Sequence, residues 1–231
     1  MKLVFATGNR SKLQEAAEIL GEGFALVTPA DMGLTEEIPE TGKTLAANSL
    51  LKAQYIYDHL GVDCFADDTG LEVEILKGAP GLHTARYAGE DRNPAANIAK
   101  LLTEMAQHEN EASMAREYGL DTVHATRKAR FRTVVTLIQS GKTHTFEGIM
   151  EGRIAICRSG KGGFGYDPVF IPDQVPQYEL DPLKAEADGD GLVPNWKMLT
   201  ASEISETAKN QISHRGKALR AMAEYLQVAG K

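Results

Sequence analysis

Two carboxylates stand side by side after a short apolar run, Cys64-Phe65-Ala66-Asp67-Asp68, and they restrict what the chain can build there. Like charges at this spacing raise each other's pKa, so a strand ending in them must open into a solvated turn or carry a cation that cancels the repulsion. Thr69-Gly70 behind the pair suits a turn. Hard divalent ions such as Mg²⁺ take oxygen ligands, and the pair suits one equally well. Successive strand side chains point to opposite faces, so Asp67 and Asp68 are expected to do different work. One would hold metal or activate water while the other orients its neighbours. The pair by itself leaves both readings open.

A chain of 231 residues is long enough for one large domain or a two-lobed one. Its net charge of −7 argues against a general nucleic-acid binder, whose footprint is basic. Cys64 and Cys157, the two cysteines, lack zinc-site spacing and are too few for a disulfide framework. With no signal pattern at the N-terminus and no apolar run of bilayer length, the expected setting is the cytoplasm.

Leu3 to Ala6 reads as a buried strand that breaks at Thr7-Gly8-Asn9, and a helix starts near Ser11 with Leu13, Ala16, Ala17 and Leu20 on its core face. Strand, glycine turn and helix together present backbone N–H groups to an anion, and Lys12 adds charge. The pattern lacks the glycine loop and Lys-Ser/Thr pair of a P-loop. Asn9 as a plain helix cap with a solvated Lys12 is the competing reading. An irregular loop carries Glu36, Glu37, Pro39, Glu40 and Gly42. A helix from about Lys43 to Leu60 follows, with Leu45, Leu51, Ile56 and Leu60 as buried candidates and Lys52 midway.

Leu71 to Leu76 alternates apolar and acidic residues as a half-buried strand does, and Gly78-Ala79-Pro80-Gly81 turns. Arg86 between small residues suits bidentate phosphate binding or an ion pair with a nearby acid. Asn93 to about Gln107 is predicted helical, and Glu109 to Arg116 a weak helix or exposed loop. Residues 129–138 alternate as a long strand, joined through Ser140-Gly141-Lys142 to a second at 143–148 as a hairpin. In Gly160-Lys161-Gly162-Gly163-Phe164-Gly165-Tyr166-Asp167-Pro168 the glycines allow close approach of a flat ligand, and the aromatic can stack on a base. A structural turn before the strand 169–171 is the alternative. Residues 172–199, polar and holding Pro172, Pro176 and Pro182, read as an inserted surface loop. A short helix from Ser202 and a last one opened by Ser213-His214-Arg215-Gly216, with Leu219, Met222 and Leu226 on its core face, end the chain.

Taken in order, Ala6-Thr7-Gly8-Asn9-Arg10-Ser11-Lys12, Glu40-Thr41-Gly42, Asn48 with Lys52-Ala53, Ala66 to Leu71, Gly78 to Gly81, Ala85-Arg86-Tyr87, Gly163 to Pro168 and Ser213 to Gly216 resemble the inosine triphosphate pyrophosphatase (RdgB-like) family along nearly the whole length. The resemblance implies an elongated two-lobed α/β fold around a mixed twisted sheet, with the active site in a cleft between lobes, as one domain over residues 1–231. It implies a homodimer that hydrolyses noncanonical purine nucleoside triphosphates (ITP, dITP, XTP) to monophosphate and pyrophosphate with Mg²⁺. It also assigns residues. Thr7, Gly8, Asn9, Arg10, Ser11, Lys12, Lys52 and Thr69 would bind the triphosphate, with Arg86 beside them. Glu40 and Asp68 would hold the metal, with Asp68 the base for the attacking water, Asp67 next to it and Lys52 in the catalytic group. Phe164, Gly165, Tyr166, Asp167, Lys209, His214 and Arg215 would surround base and sugar.

The chemistry agrees with that assignment. Splitting a phosphoanhydride needs cations and positioned water more than covalent steps. Donors from His214-Arg215 would pair with the six-carbonyl of hypoxanthine or xanthine and be left unsatisfied by adenine, at about 1–3 kcal/mol per buried group. Four departures from the family pattern stand out: Ser11 where glycine is common, Ala47 where an acid often precedes the matched Asn48, His83 where Tyr, Val or Ile is frequent, and a longer 172–199 segment. A nucleotide-binding protein without catalysis, which Ala47 favours, and a Maf-like hydrolase of other modified nucleotides are the rival readings.

Overall fold

The computed structural model describes residues 1–36, 38–117, 126–181 and 191–229, without the side chains of 114–117 and 229. Along the chain run β1 (Lys2–Phe5), α1 (Arg10–Leu20), β2 (Ala25–Val27), α2 (Leu45–Leu60), β3 (Cys64–Val73), β4 (Pro80–Gly81), α3 (Pro94–Glu117), β5 (Lys128–Gln139) and β6 (Lys142–Ile154). There follow β7 (Phe170–Pro172), β8 (Gln174–Pro176), α4 (Gln177–Leu180), β9 (Leu192–Pro194), α5 (Glu206–Ile212) and α6 (His214–Ala229). The strand order is β2-β1-β3-β5-β6-β7, with β4 added to β3. β1 is parallel to β2 and β3, whereas β4 and β7 pair antiparallel, so the sheet is mixed and the fold α/β. No helix among the described residues is long and apolar enough to cross a membrane.

The chain divides into two compact units, the first made of Met1–Thr69, Arg132–Ile149 and Ser213–Lys231, the second of Gly70–Phe131 and Met150–Ile212. Strand alternation builds the core of the first. Leu3, Phe5 and Phe65 pack with Ala16 and Leu20 of α1 and Leu219, Met222 and Leu226 of α6. The intervening Val4, Ala6, Cys64 and Ala66 pack with Ala53 and Ile56 of α2. Burying each of the larger side chains contributes about 1.5–3 kcal/mol, which fixes the register of β3 between its two helical layers. The core of the second unit gathers Leu71, Val73, Ile98, Leu101, Phe131, Phe170, Val175 and Ile212.

Several sequence expectations change here. β3 does not end at the acidic pair: it continues through Asp67-Asp68-Thr69-Gly70 to Val73, because pairing on the sheet and buried cations remove the need for a turn. After Val73 the backbone tightens into a 3-10 turn over Glu74–Leu76 instead of staying extended. On α1 it is Glu15, not Ala17, that is buried beside Ala16 and Leu20. Leu51 and Leu60 are only half-buried, and Asn48, Ser49 and Lys52 occupy the inner face of α2. Glu109 to Arg116 continues α3 as one helix, with Ala112 on the buried side. The segment 172–199 holds a strand pair, β8 with β9, and a short helix, and it buries Val175 and Leu180 in the core. Its residues 182–190 lie outside those described. The helix expected from Ser202 starts at Glu206.

The hairpin is as expected but longer. Its two-residue turn, Ser140 at φ 48 and Gly141 at φ 77, is the mirror-type turn that matches strand twist.

Candidate active site

The pleat of β3 sends Asp67 to the face covered by α1 and α6 and Asp68 to the face covered by α2. On the first face, Asp67 is 1 % exposed and receives the Lys12 ammonium at 2.9 Å and Arg215 Nε at 2.9 Å. Arg215 donates onward through Nη1 to Glu15 and through Nη2 to Thr69 Oγ1 at 3.4 Å. Burial pushes the Asp67 carboxyl up, but the charges of Lys12, Arg215 and Lys52 together hold it well below the usual carboxylate range. Lys12 is itself lowered, chiefly by desolvation, against the pull of Asp67. Arg215 reaches this position because Gly148 admits it: a Cβ there would stand 2.0 Å from the His214 carbonyl oxygen, so only glycine lets the first turn of α6 press on β6.

On the second face, Lys52 Nζ sits between Glu40 Oε1 at 2.8 Å and Asp68 Oδ1 at 3.0 Å. Burial pulls the Lys52 pKa down, and Asp68, Asp67 and Glu40 together raise it above its ordinary value. Asp68 moves the other way from its neighbour: burial raises it, with Lys52 opposing. Helix α2 sets this face because Thr44 caps its start by accepting from the Ala47 N–H, and Leu45, Asn48, Ser49, Lys52, Ala53 and Ile56 fall on one side at helical spacing. Ser49 locks the helix to the sheet, donating to the Ala66 carbonyl and accepting from the Thr136 hydroxyl.

The Thr7-to-Lys12 turn combines both sequence readings. Asn9 is a helix cap whose Oδ1 accepts from the Ser11 and Lys12 N–H groups, and Thr7 Oγ1 accepts from Asn9 N. Lys12 is not solvated but turned inward to Asp67. Gly8, Asn9, Arg10 and Ser11 are exposed, and no protein atom lies within 4 Å of where a Gly8 Cβ would stand.

In the second unit Asp167 Oδ2 accepts from the Phe164 N–H at 2.7 Å and from Lys209 Nζ at 2.6 Å. The same ammonium lies 4.4 Å from the centroid of the Phe164 ring, which is 40 % exposed. Gly163 and Gly165 have φ of 72° and 60°, a left-handed pair that bends the backbone around Phe164. Tyr166 is a core residue, its hydroxyl donating to the Thr84 carbonyl. Arg86, on the turn Thr84–Arg86, stands 4.0 Å from Glu90. His214 is buried in the first turn of α6.

The structure therefore unites Lys12, Asp67, Thr69 and Arg215 in one network and Glu40, Lys52 and Asp68 in another, joined through adjacent residues of β3. Phe164, Asp167 and Lys209 form a third group. Sequence reasoning missed Glu15 and assigned no role to Asn48. The available signal for Glu15 was its place three residues after Lys12, beside the apolar face of α1.

Four carboxylates (Glu15, Glu40, Asp67, Asp68) and three cations (Lys12, Lys52, Arg215) make up these linked pairs, leaving one net negative charge. Such a site repels a polyphosphate unless a further cation joins it. The donors fit a hard divalent ion. Glu40 and Asp68 both touch one ammonium, so a small cation at that point would reach both. Among the described residues no three His, Cys, Asp or Glu side chains form a metal cluster. Two carboxylates completed by substrate phosphates and water is the set Mg²⁺ commonly uses.

The model of the Ham1 family matches residues 3–225. A dITP/XTP pyrophosphatase of Porphyromonas gingivalis is 43% identical over 228 residues, 99% of this chain and 98% of that protein. The structure of a HAM1 protein from Coxiella burnetii superposes with a TM-score of 0.76 at 29% identity, covering 98% of both chains. That of a nucleoside-triphosphatase, dITP/XTP pyrophosphatase, from Mycobacterium abscessus gives 0.65 at 34% identity, covering 96% of this chain and 98% of the other. With the family model spanning nearly every residue and relatives this similar over full length, the chain belongs to the Ham1 family.

Proposed function

We propose that the chain is a pyrophosphohydrolase that cleaves the α–β phosphoanhydride of noncanonical purine nucleoside triphosphates (dITP, ITP and XTP), releasing the monophosphate and pyrophosphate and so cleansing the nucleotide pool. The observation that carries this reading is the buried chain of ion pairs on β3, whose two carboxylates face different helices and meet different cations. The names of the relatives, dITP/XTP pyrophosphatases, supply the substrate class.

Each residue then has a task. Lys12, Thr7 and the exposed Gly8-Asn9-Arg10-Ser11 turn are proposed to receive the phosphates, together with Lys52, Thr69 and, from its own turn, Arg86. Glu40 and Asp68 would hold Mg²⁺, which when bound polarises phosphoryl oxygens and offsets the charge of the leaving pyrophosphate. Asp68 would take the proton of the attacking water at a carboxylate oxygen. Burial raises its pKa, which strengthens it as a base, and Lys52 on Oδ1 and Asn48 on Oδ2 fix its orientation. Asp67 stays ionised and keeps Lys12 and Arg215 in place. Phe164 with its Asp167–Lys209 support, Gly165, Tyr166, His214 and Arg215 are assigned to the base and sugar, Tyr166 and Arg215 as supports from within. A homodimer in the reducing cytoplasm completes the proposal. Light scattering at twice the chain mass tests the dimer.

Pyrophosphate release with Mg²⁺ across a nucleotide panel is the decisive experiment. Rates on dITP and XTP should far exceed those on dATP and dCTP, and Asp68→Asn should abolish them in a folded protein. Orthophosphate as first product would overturn the assigned bond, and equal rates on all bases would overturn the assigned pocket.

A further inference from the structure

The loop that carries Glu40 is fastened along α2 at three places. Tyr55 donates to Glu36 at 2.7 Å, Lys52 to Glu40 at 2.8 Å, and Asn48 Oδ1 accepts from the Gly42 N–H at 2.7 Å. Positions 48, 52 and 55 follow one stripe of the helix, which Gly42, Glu40 and Glu36 meet in reverse order. Asn48 differs from the other two in what its second atom does: Nδ2 donates to Asp68 Oδ2 at 3.3 Å. The amide orientation is fixed by chemistry, because Gly42 N needs an acceptor and the carboxylate needs a donor. Asn48 is 3 % exposed, and Gly42 is pressed so close that a Cβ would meet Asn48 Oδ1 at 2.6 Å.

We propose that Asn48 is a positioning residue that ties the Glu40 loop to Asp68 and holds the two carboxylates at the separation a shared divalent ion needs. What that ion serves rests on the proposed function; the tie itself is in the structure. Lys52 also spans the two carboxylates, through Glu40 Oε1 and Asp68 Oδ1. Asn48 reaches the loop through a backbone N–H and Asp68 through its other oxygen, so its link is compatible with the ion. Residues that orient metal ligands in this way typically account for about 10–100-fold in metal affinity or activity.

The test uses Asn48→Ala and Gly42→Ala in the full chain. The first removes both bonds; the second leaves Asn48 in place and pushes the loop off it. Hydrogen exchange of the Gly42 amide is read without substrate, and pyrophosphate release from dITP is read against Mg²⁺ concentration. Both variants should exchange that amide faster than wild type, raise the half-saturating Mg²⁺ about tenfold and lower kcat about 10–100-fold. KM for dITP at saturating Mg²⁺ should stay within about threefold, since the Lys12 turn is untouched. A folded variant with wild-type kcat and Mg²⁺ dependence, a Gly42 amide as protected as before, or a loss confined to KM overturns the proposal. If Asn48→Ala fails to fold, Gly42→Ala decides; if neither folds, Asn48 is a core residue and the proposal falls. A wild-type chain that releases no pyrophosphate from dITP would remove the proposed function, and Gly42 exchange would still decide the tie.

Discussion

Adjacent aspartates share a backbone and differ in everything else. Asp67, closed in by Lys12 and Arg215, is held ionised, whereas Asp68, half-buried beside Lys52, is pushed up by desolvation. Removing one partner of a buried pair costs more than the pair gains, because the remaining charge is stranded. Arg215 is 2 % exposed and serves two carboxylates, so Arg215→Met strands Glu15 and leaves Asp67 with Lys12 as its ion-pair partner. Its unfolding free energy in denaturant should fall by about 3–5 kcal/mol. Asp68→Asn, which deletes a charge that burial already disfavours, should melt within about 1 kcal/mol of wild type while losing activity. A loss below about 1 kcal/mol in Arg215→Met would mean that the buried network contributes little to stability. The motifs Asp-Asp and Ser-His-Arg-Gly marked Asp67, Asp68 and Arg215 for attention, and the structure pairs Asp67 with Arg215. The partner Glu15 was not legible, because helical periodicity marks a buried position without telling a paired acid from an alanine.

Elements whose pattern is set by their own residues were read well. The β5–β6 hairpin follows from alternation and a turn that needs positive φ, and α6 from Leu219, Met222 and Leu226, all buried. Elements set by distant partners were not: β8 and β9 are three residues each and exist through pairing with one another, which no local pattern announces. The turn that carries Arg86 belongs to this second kind. Asn97, 3 % exposed on α3, donates to the Ala85 carbonyl at 2.9 Å and accepts from the Ala88 N–H at 2.7 Å, clasping the backbone on both sides of Arg86. Asn97→Ala leaves two backbone groups without these partners, at about 1–3 kcal/mol. The expected result is a melting temperature lower by several degrees, with faster hydrogen exchange concentrated at Ala88. Unchanged exchange there would show that Tyr166, through Thr84, and Lys100, through the Tyr87 carbonyl, hold the turn without Asn97.

At the scale of the whole molecule the question is how a chain with net charge −7 would hold a polyanion. Long-range attraction is absent, so affinity must come from local cations, and screening by salt confines surface charges to about 8–10 Å in any case. Yet the three cations linked to β3 are already paired, Lys12 to Asp67, Lys52 to Glu40 and Asp68, and Arg215 to Glu15 and Asp67. These pairs make the strand tolerable and leave the linked groups one charge negative. A divalent ion held by Glu40 and Asp68 would reverse that sign, and by taking the place of Lys52 between them it would leave that ammonium for phosphate. On this account divalent ion and nucleotide bind with strong positive coupling, a reciprocal effect that binding measurements detect without turnover. Titrating the Asp68→Asn chain is unsuitable because it lacks a ligand; a non-hydrolysable dITP analogue on the wild-type chain avoids turnover instead. Calorimetry should show its Kd rising at least about 100-fold when EDTA replaces Mg²⁺, a coupling of about 2.7 kcal/mol or more. The same Kd with and without the ion would mean that the buried lysines bind phosphate unaided, and the charge balance drawn from β3 would be wrong.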